Sequence, residues 1–179
     1  MGSQEFDPYY SHWADIAGRR VVAAHPDARP LVVAAGITPS GVVHVGNFRE
    51  VMTVDLVARA LRDQGIEVRF IYSWDDFDVF RKVPSDAPAQ AMLSENLRRS
   101  VADVPDPFGD LPGETPTDSY ASHHIQAFES SLAPLGIEPE FIRQSKAYRA
   151  GRYAEGIRKA LDAKDLIRAT LDQYRKENL

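Results

Sequence analysis

Two short polar segments of the sequence combine residue types that could bind and activate a charged small molecule. The first is a loop with the sequence GITPSGVVHVGN, residues 36–47. Its His44 and Asn47 are three residues apart, so they would share one face of the first turn of a helix. A glycine-containing loop that enters a helix offers free backbone N–H groups and the positive end of the helix dipole to an anion. Gly46 leaves room for a flat group, so the loop suits the phosphates and base of a nucleotide. The plainer alternative is a simple turn in which His44 only caps the helix.

The second segment is an acidic cluster. Asp75, Asp76 and Asp78 follow one another closely, and Arg81 and Lys82 come next. Carboxylates crowded at one place repel one another unless a cation neutralises them. An ammonium substrate or Mg²⁺ would serve, and the plainer alternative is a solvated acidic turn.

Each polar segment follows a predicted strand: the first is an unbroken apolar run typical of a fully buried parallel strand, and the second is rich in Val, Phe, Ile and Tyr. The two strands are residues 31–36, LVVAAG, and residues 67–74, EVRFIYSW. A helix is expected between them over about 44–64, and Gly65 stands in the usual position for ending it. A strand–loop–helix–strand unit predicts a right-handed parallel crossover, in which the carboxyl ends of the two strands lie side by side. The two polar segments should therefore meet at one edge of a sheet.

The other elements are expected from periodicity and from the positions of proline and glycine. The predicted helices cover about 11–22 with Ser11 as the cap, 87–101, 118–135 and 151–179, and a third strand covers 140–143. Residues 1–10 have little periodicity and are expected to be a loose lead-in, which leaves 11–179 as the domain. Three parallel strands with helical crossovers predict an α/β fold that is half of a doubly wound sheet.

Composition limits the class of protein. A chain of 179 residues forms one domain or part of a larger one. The hydrophobic fraction of 44% and the charged fraction of 26% are typical of a soluble globular protein. We find no apolar run long enough for a transmembrane helix and no signal-peptide stretch. The absence of cysteine excludes disulfides, thiol catalysis and cysteine-based zinc sites. These features predict a cytoplasmic protein that does not bind a membrane.

Charge is unevenly divided along the chain. Lysine and arginine number 21 and aspartate and glutamate 26, which gives a net charge of −5. Residues 1–142 hold 11 basic and 21 acidic groups, whereas residues 143–179 hold 10 basic and 5 acidic groups. The acidic total argues against a general nucleic-acid-binding surface. The basic tail indicates either a solvated helical face or an edge that faces a polyanion.

Taken in order, the motifs resemble those of class I lysyl-tRNA synthetases. The matching segments are 11–15 (SHWAD), 36–47, 74–84 (WDDFDVFRKVP), 104–109 (VPDPFG), 119–123 (SYASH), 135–138 (LGIE) and 171–175 (LDQYR). The resemblance implies a Rossmann-like, incomplete parallel half-sheet. It also implies a two-step, ATP-dependent reaction with Mg²⁺. The carboxylate of lysine would attack the α-phosphate of ATP to give lysyl-adenylate and pyrophosphate. The lysyl group would then pass to the terminal ribose of tRNA(Lys).

The resemblance also implies roles for individual residues. His44 and Asn47 are the expected catalytic residues, which would donate hydrogen bonds to phosphate oxygens as charge moves to the leaving pyrophosphate. The expected ATP-binding residues are Thr38, Pro39, Ser40, Gly41, His44, Gly46 and Asn47. The expected lysine-binding residues are Gly36, Thr38, Asp75 and Asp76, with the two aspartates assigned on electrostatic grounds.

A proline-rich stretch stands where many members of that family have zinc ligands. In those members a Cys–His pair follows the Pro-Asp-Pro loop and binds zinc together with the aspartate and a later histidine. Here Asp110 and prolines occupy that stretch. Asp106, His123 and His124 remain as possible ligands, but they make a poor tetrahedral set. We therefore expect no metal, and a loop held by packing and hydrogen bonds.

A second departure concerns parts of the family's catalytic domain that this sequence does not contain. It has no Lys-Met-Ser-Lys-Ser-type loop, no second half of the sheet and no candidate anticodon-binding domain. We expect the chain to be the first half of a catalytic domain, inactive alone and prone to self-associate through its first strand. Two alternatives stay open: a truncated, non-catalytic paralogue that works as a binding module, and another nucleotidyltransferase that does not use tRNA.

Overall fold

A computed structural model describes residues 12–175. The chain forms two compact units, Met1–Gln144 and Ser145–Leu179. The assignment of 11–179 to one domain stays a prediction.

The elements alternate between strands and helices in the first unit and are helical in the second. In chain order they are α1 (Trp13–Ala24), β1 (Leu31–Ile37), α2 (Val45–Asp63), β2 (Val68–Trp74), α3 (Gln90–Glu95), a 3₁₀ turn (Val101–Asp103), α4 (Tyr120–Leu132), a 3₁₀ turn (Ala133–Leu135), β3 (Glu140–Arg143), α5 (Gln144–Arg149), α6 (Ala154–Asp162) and α7 (Lys164–Asp172). No helix within 12–175 is both long and apolar enough to cross a membrane.

The three strands form one parallel sheet in the order β1-β2-β3. The β1–β2 register runs from Leu31 opposite Val68 to Ile37 opposite Trp74. Helix α2 connects β1 to β2, and the connection from β2 to β3 includes α4. The predicted α/β class, with an incomplete parallel sheet and helical crossovers, is confirmed.

Helix α2 has the ends that its sequence predicts. His44 is its N-cap, and Gly65 follows its last turn with a φ of 75°. The Gly65 N–H donates to the Arg62 carbonyl and the Ile66 N–H to the Leu61 carbonyl, the paired bonds of a Schellman motif. Glycine adopts this left-handed conformation at little cost. The helix therefore begins directly after the polar loop.

The predicted helix over 87–101 is wrong in extent, because only α3 forms. After α3 the backbone turns at Arg98, which has a φ of 72°. It then returns alongside Phe80, whose N–H donates to the Arg99 carbonyl over 2.8 Å. Phe80 and Val101 are fully buried. The apolar residues of this stretch are therefore buried where the chain reverses direction, and they do not form one face of a long helix.

Two other helix predictions also need adjustment. The predicted cap Ser11 lies outside the described residues, and the side chain of His12 accepts a hydrogen bond from the Ala14 N–H at the start of α1. The expected helix over 151–179 is divided into α6 and α7 at Ala163, and α5 precedes them.

An aromatic core supports the end of β2. Tyr72 and Trp74 are fully buried, and their ring centroids are 5.0 Å apart. Phe128 of α4 packs edge-on against Trp74 at 5.5 Å. The Trp74 Nε1–H also donates to Glu129 over 2.8 Å. This packing fixes the backbone from which the acidic cluster projects.

Candidate functional site

The polar loop and the acidic cluster do lie side by side at the carboxyl end of the sheet. Gly36 is opposite Ser73 in the β1–β2 register. Beyond the strands, the Asp75 N–H donates to the Ile37 carbonyl over 3.0 Å. The Thr38 hydroxyl donates to Asp78 over 2.7 Å. The juxtaposition predicted from the topology is therefore present in the structure.

Gly36 allows the two strands to approach closely at this point. A Cβ atom on Gly36 would lie 2.6 Å from the Ser73 carbonyl oxygen and 2.9 Å from the Ser73 Cβ. Both distances are too short for a side chain, and the nearest atom belongs to the backbone. Glycine is thus required here by strand packing, whatever contact it makes with a ligand.

His44 caps α2 and still presents a donor to solvent. Its Nδ1 accepts a hydrogen bond from the Gly46 N–H over 3.1 Å, and its side chain is exposed. Accepting at Nδ1 places the proton of a neutral ring on Nε2. The capping role and the predicted donation to phosphate therefore use different nitrogens and are compatible.

Gly46 has a second reason to be glycine. A Cβ atom there would lie 2.9 Å from Cε1 of the His44 ring. Gly46 therefore leaves room for the His44 ring, and its part in ATP binding stays a prediction. Asn47, half-buried, follows in the first turn, and its N–H donates to the His44 carbonyl over 3.0 Å.

The start of the loop is anchored to α4. The Tyr120 hydroxyl donates to the Ser40 carbonyl over 3.1 Å, and Pro39 is fully buried. Burial, together with the charge of Asp86, raises the pKa of Tyr120 to about 12. The hydroxyl therefore stays protonated and remains a donor near neutral pH. Ser40 is exposed and Gly41 half-buried, so this part of the loop faces outward.

The three carboxylates of the acidic cluster have different surroundings. Asp78 is exposed and accepts the hydrogen bond from Thr38. Asp75 is half-buried, and its Oδ1 accepts from the Ser73 hydroxyl over 2.9 Å. The Ser73 hydroxyl in turn accepts from Nε2 of Gln144 over 2.8 Å.

Asp76 is turned inward. Its side chain is fully buried, and its Oδ2 accepts from Nε of Arg143 over 2.8 Å. The backbone carbonyl of Asp76 accepts from the Ala102 N–H and the Ser100 hydroxyl. The cation that neutralises this carboxylate is thus supplied by the protein. Lysine binding stays a prediction for both aspartates, and the geometry supports it better for Asp75 than for Asp76.

Sequence reasoning missed Arg143 and Gln144 as partners of the acidic cluster. A signal for Arg143 was available, because it ends the predicted third strand and the ends of neighbouring parallel strands meet. The register indeed places Arg143 opposite Trp74. No signal in the sequence indicates the direction of the Gln144 side chain.

A cleft of about 470 Å³ opens beside the loop and the acidic cluster. It is lined by Thr38, Ser40, Asp78, Val79, Arg81, Lys82, Pro84, Ser85 and Asp86. Both signs of charge border it, as a ligand with an ammonium group and phosphates would need. Thr38 and Ser40 of the loop therefore share one concave surface with Arg81 and Lys82, whereas the other predicted site residues do not line this cleft.

The Pro-Asp-Pro loop is closed by hydrogen bonds to Asp106. Its carboxylate accepts from the Phe108 N–H over 2.8 Å, and from the Thr117 N–H and hydroxyl over 2.9 and 2.8 Å. Burial alone would raise the pKa of Asp106, but these hydrogen bonds and the nearby His123 outweigh it and lower the pKa. Both carboxylate oxygens are therefore already engaged.

The two histidines of this region pack as aromatic side chains. His123 stacks on Phe108 with ring centroids 4.1 Å apart. His124 is buried, and within 12–175 its Nε2 has no hydrogen-bond partner. Burial and the neighbouring His123 lower the pKa of His124 to about 4. No three potential histidine, aspartate or glutamate ligands converge anywhere in the described part of the chain. The residues present do not fit a tetrahedral zinc site.

Comparisons with known proteins agree with the motifs. Residues 11–179 match the family described as tRNA synthetases class I (K). The lysine–tRNA ligase of Treponema pallidum (strain Nichols) is 50% identical over 166 residues, which are 93% of this chain and 30% of that protein. The lysine–tRNA ligase of Thermococcus kodakarensis is 46% identical over 165 residues, 92% of this chain and 30% of that protein. The lysine–tRNA ligase of Streptomyces coelicolor is 39% identical over 174 residues, 97% of this chain and 29% of that protein.

The chain thus spans about 30% of the length of the curated relatives it matches. The resemblance inferred from the motifs is confirmed at the level of the family. Since the match extends from residue 11 to residue 179, the chain belongs to the class I (K) family of tRNA synthetases.

Proposed function

We propose that the protein works as a lysine–tRNA ligase, which activates lysine with ATP and transfers it to tRNA(Lys). One observation carries the proposal beyond the family match. The loop at the start of α2 and the acidic cluster after β2 meet at one sheet edge, where the Thr38 hydroxyl donates to Asp78 over 2.7 Å. The phosphate donors of the loop and the ammonium acceptors of the cluster would then serve two substrates that react with each other.

On the nucleotide side, residues 38–47 would hold ATP, which would enter as its Mg²⁺ complex. The N-terminus of α2 supplies the positive end of the helix dipole for phosphate. His44 Nε2 and the Asn47 side chain would donate to phosphate oxygens as negative charge moves to pyrophosphate. Tyr120 would keep the loop in place through its bond to the Ser40 carbonyl.

On the amino acid side, Asp75 would accept from an ammonium group of lysine. Gly36 and Thr38 would border the substrate, because they flank Ile37, the last residue of β1, whose carbonyl accepts from the Asp75 N–H. Thr38 gives its hydroxyl proton to Asp78, so its oxygen can accept a further hydrogen bond. The lysine carboxylate would then be free to attack the α-phosphate. Little covalent work is left to the protein, and positioning dominates.

Lysine-dependent exchange of pyrophosphate into ATP tests this proposal. The protein encoded by the complete reading frame should catalyse exchange with lysine and with no other standard amino acid. It should also charge tRNA(Lys), a reaction that belongs in the cytoplasm. Exchange without tRNA charging would favour another nucleotidyltransferase, and neither activity would favour a non-catalytic binding module. The 179-residue chain alone should be inactive.

A further inference from the structure

We propose that Ser73 and Gln144 are positioning residues that orient Asp75 toward an ammonium group of the lysine substrate. The inference rests on the proposed function and deepens it by identifying what holds the substrate-binding carboxylate. Three strand ends contribute. Ser73 lies in β2 and Asp75 directly follows that strand, Gln144 directly follows β3, and Ile37 of β1 accepts from the Asp75 N–H.

Asp75 is the carboxylate of the cluster best placed to receive a cation. Asp76 is fully buried and paired with Arg143. Asp78 is exposed and already accepts from Thr38. Asp75 is half-buried, and within 12–175 its Oδ1 accepts one hydrogen bond while its Oδ2 accepts none. A charge-assisted bond to an ammonium group would use the remaining acceptor capacity.

The hydrogen bonds to Asp75 form a chain with one possible direction. A serine hydroxyl has a single proton. Because Nε2 of Gln144 donates to Ser73 over 2.8 Å, the hydroxyl can give that proton to Asp75 over 2.9 Å. Bonds arranged in this way polarise one another and strengthen the last one. Oδ1 is thereby fixed, and Oδ2 is held in a defined direction.

The backbone around Ser73 makes this orientation rigid. The Ser73 Cβ and carbonyl oxygen lie so close to Gly36 that no side chain fits on Gly36. Trp74, the next residue, is fully buried. Ser73 therefore cannot shift toward β1, and the buried Trp74 next to it holds its backbone in place. Its hydroxyl stays between Gln144 and Asp75.

The test compares Ser73→Ala, Gln144→Ala and Asp75→Asn in the protein encoded by the complete reading frame. Lysine and ATP Michaelis constants are measured by pyrophosphate exchange. Ser73→Ala and Gln144→Ala should each raise the lysine KM about 5-fold and leave the ATP KM within about 2-fold of wild type. Gln126→Ala, which truncates an exposed glutamine on α4, is the matched control and should leave both constants unchanged.

A double-mutant cycle separates positioning from general structural support. If Gln144 acts through Asp75, then adding Gln144→Ala to Asp75→Asn should change the lysine KM less than about 2-fold. Additive effects, or equal losses for lysine and ATP, would overturn the inference.

Circular dichroism checks folding, and Ser73→Ala, which removes only a hydroxyl group, carries the test if Gln144→Ala misfolds. A wild-type protein without lysine-dependent exchange would overturn the proposed function as well, whereas a working wild type with unchanged variants would overturn the positioning role alone.

Discussion

His44 combines two roles that the sequence presents as alternatives. Its Nδ1 accepts the Gly46 N–H at the N-cap of α2, and its exposed ring leaves Nε2 available to a ligand. A different N-cap residue at this position would preserve the start of α2 but would lack the Nε2 donor. Substitution at this position can therefore separate stability from catalysis.

His44→Asn should retain stability and lose activity. Asparagine is a preferred N-cap, so the free energy of unfolding should change by less than about 1 kcal/mol. Without the Nε2 donor, the rate of pyrophosphate exchange should fall about 100-fold, equivalent to about 3 kcal/mol of transition-state stabilisation. Urea unfolding and exchange kinetics measure the two effects, and His25→Ala, at the exposed end of α1, is the control. An unchanged exchange rate would remove His44 from the mechanism.

His124 should make stability depend on pH between neutrality and mild acid. Burial first, and then the neighbouring His123, lower its pKa to about 4, whereas Asp106 opposes the shift. As the pH falls, His124 is protonated near pH 6.5 in the unfolded chain but only near pH 4 in the folded chain. Protonation therefore favours the unfolded chain, and the free energy of unfolding falls with pH. Between pH 7 and pH 5 the loss should be about 2 kcal/mol. Unfolding in urea at both pH values measures it, and His124→Phe should largely abolish the difference; an unchanged dependence in that variant would contradict the assignment.

At the scale of elements, the buried pair of Asp76 and Arg143 joins the ends of β2 and β3. Nη2 of Arg143 also donates to the Ser122 hydroxyl on α4 over 3.2 Å. Breaking such a pair leaves an uncompensated buried charge, which usually costs about 3–5 kcal/mol. The pair therefore stabilises the strand ends that form the site.

Asp76→Asn should reduce the free energy of unfolding by about 2 kcal/mol. The cost is below that of full removal, because the amide oxygen can still accept from Arg143. Asp75→Asn, at the half-buried neighbour, should cost less than about 1 kcal/mol. Chemical unfolding compares the two variants. If Asp76→Asn instead weakened lysine binding and left stability unchanged, Asp76 would face the substrate, as the sequence first indicated.

The sequence predicts the strands and α2 well because their signals are local. An apolar run bounded by proline and glycine marks β1, a stretch rich in Val, Phe, Ile and Tyr marks β2, and Gly65 marks the end of α2. The structure of residues 87–101 is harder to predict from the sequence. The apolar residues there pack where the chain runs back beside Phe80, and this arrangement depends on the tertiary structure. In the site, loop and cluster could be placed together from topology alone. The inward turn of Asp76 and the bond from Gln144 depend on side-chain directions that spacing does not determine.

At the scale of the whole molecule, β1 is an exposed sheet edge. Within 12–175 it pairs on one side only, with β2, and Val32 is 53% exposed, so the prediction of a fully buried strand is wrong. An apolar strand with free N–H and C=O groups is a template for pairing with another chain. The 179-residue chain should therefore self-associate at micromolar concentration, as light scattering after size exclusion would show. Val32→Lys should reduce the association, and a wild-type monomer at the same concentration would contradict the expectation.

We propose that the loop and the cluster form one site, with lysine at Asp75 and ATP at the start of α2. The most direct test is the pair of Michaelis constants for Asp75→Asn, measured by pyrophosphate exchange in the protein encoded by the complete reading frame. Loss of a charge-assisted hydrogen bond should raise the lysine KM about 10-fold or more and leave the ATP KM within about 2-fold of wild type. An unchanged lysine KM, or an equal rise in both constants, would contradict the account.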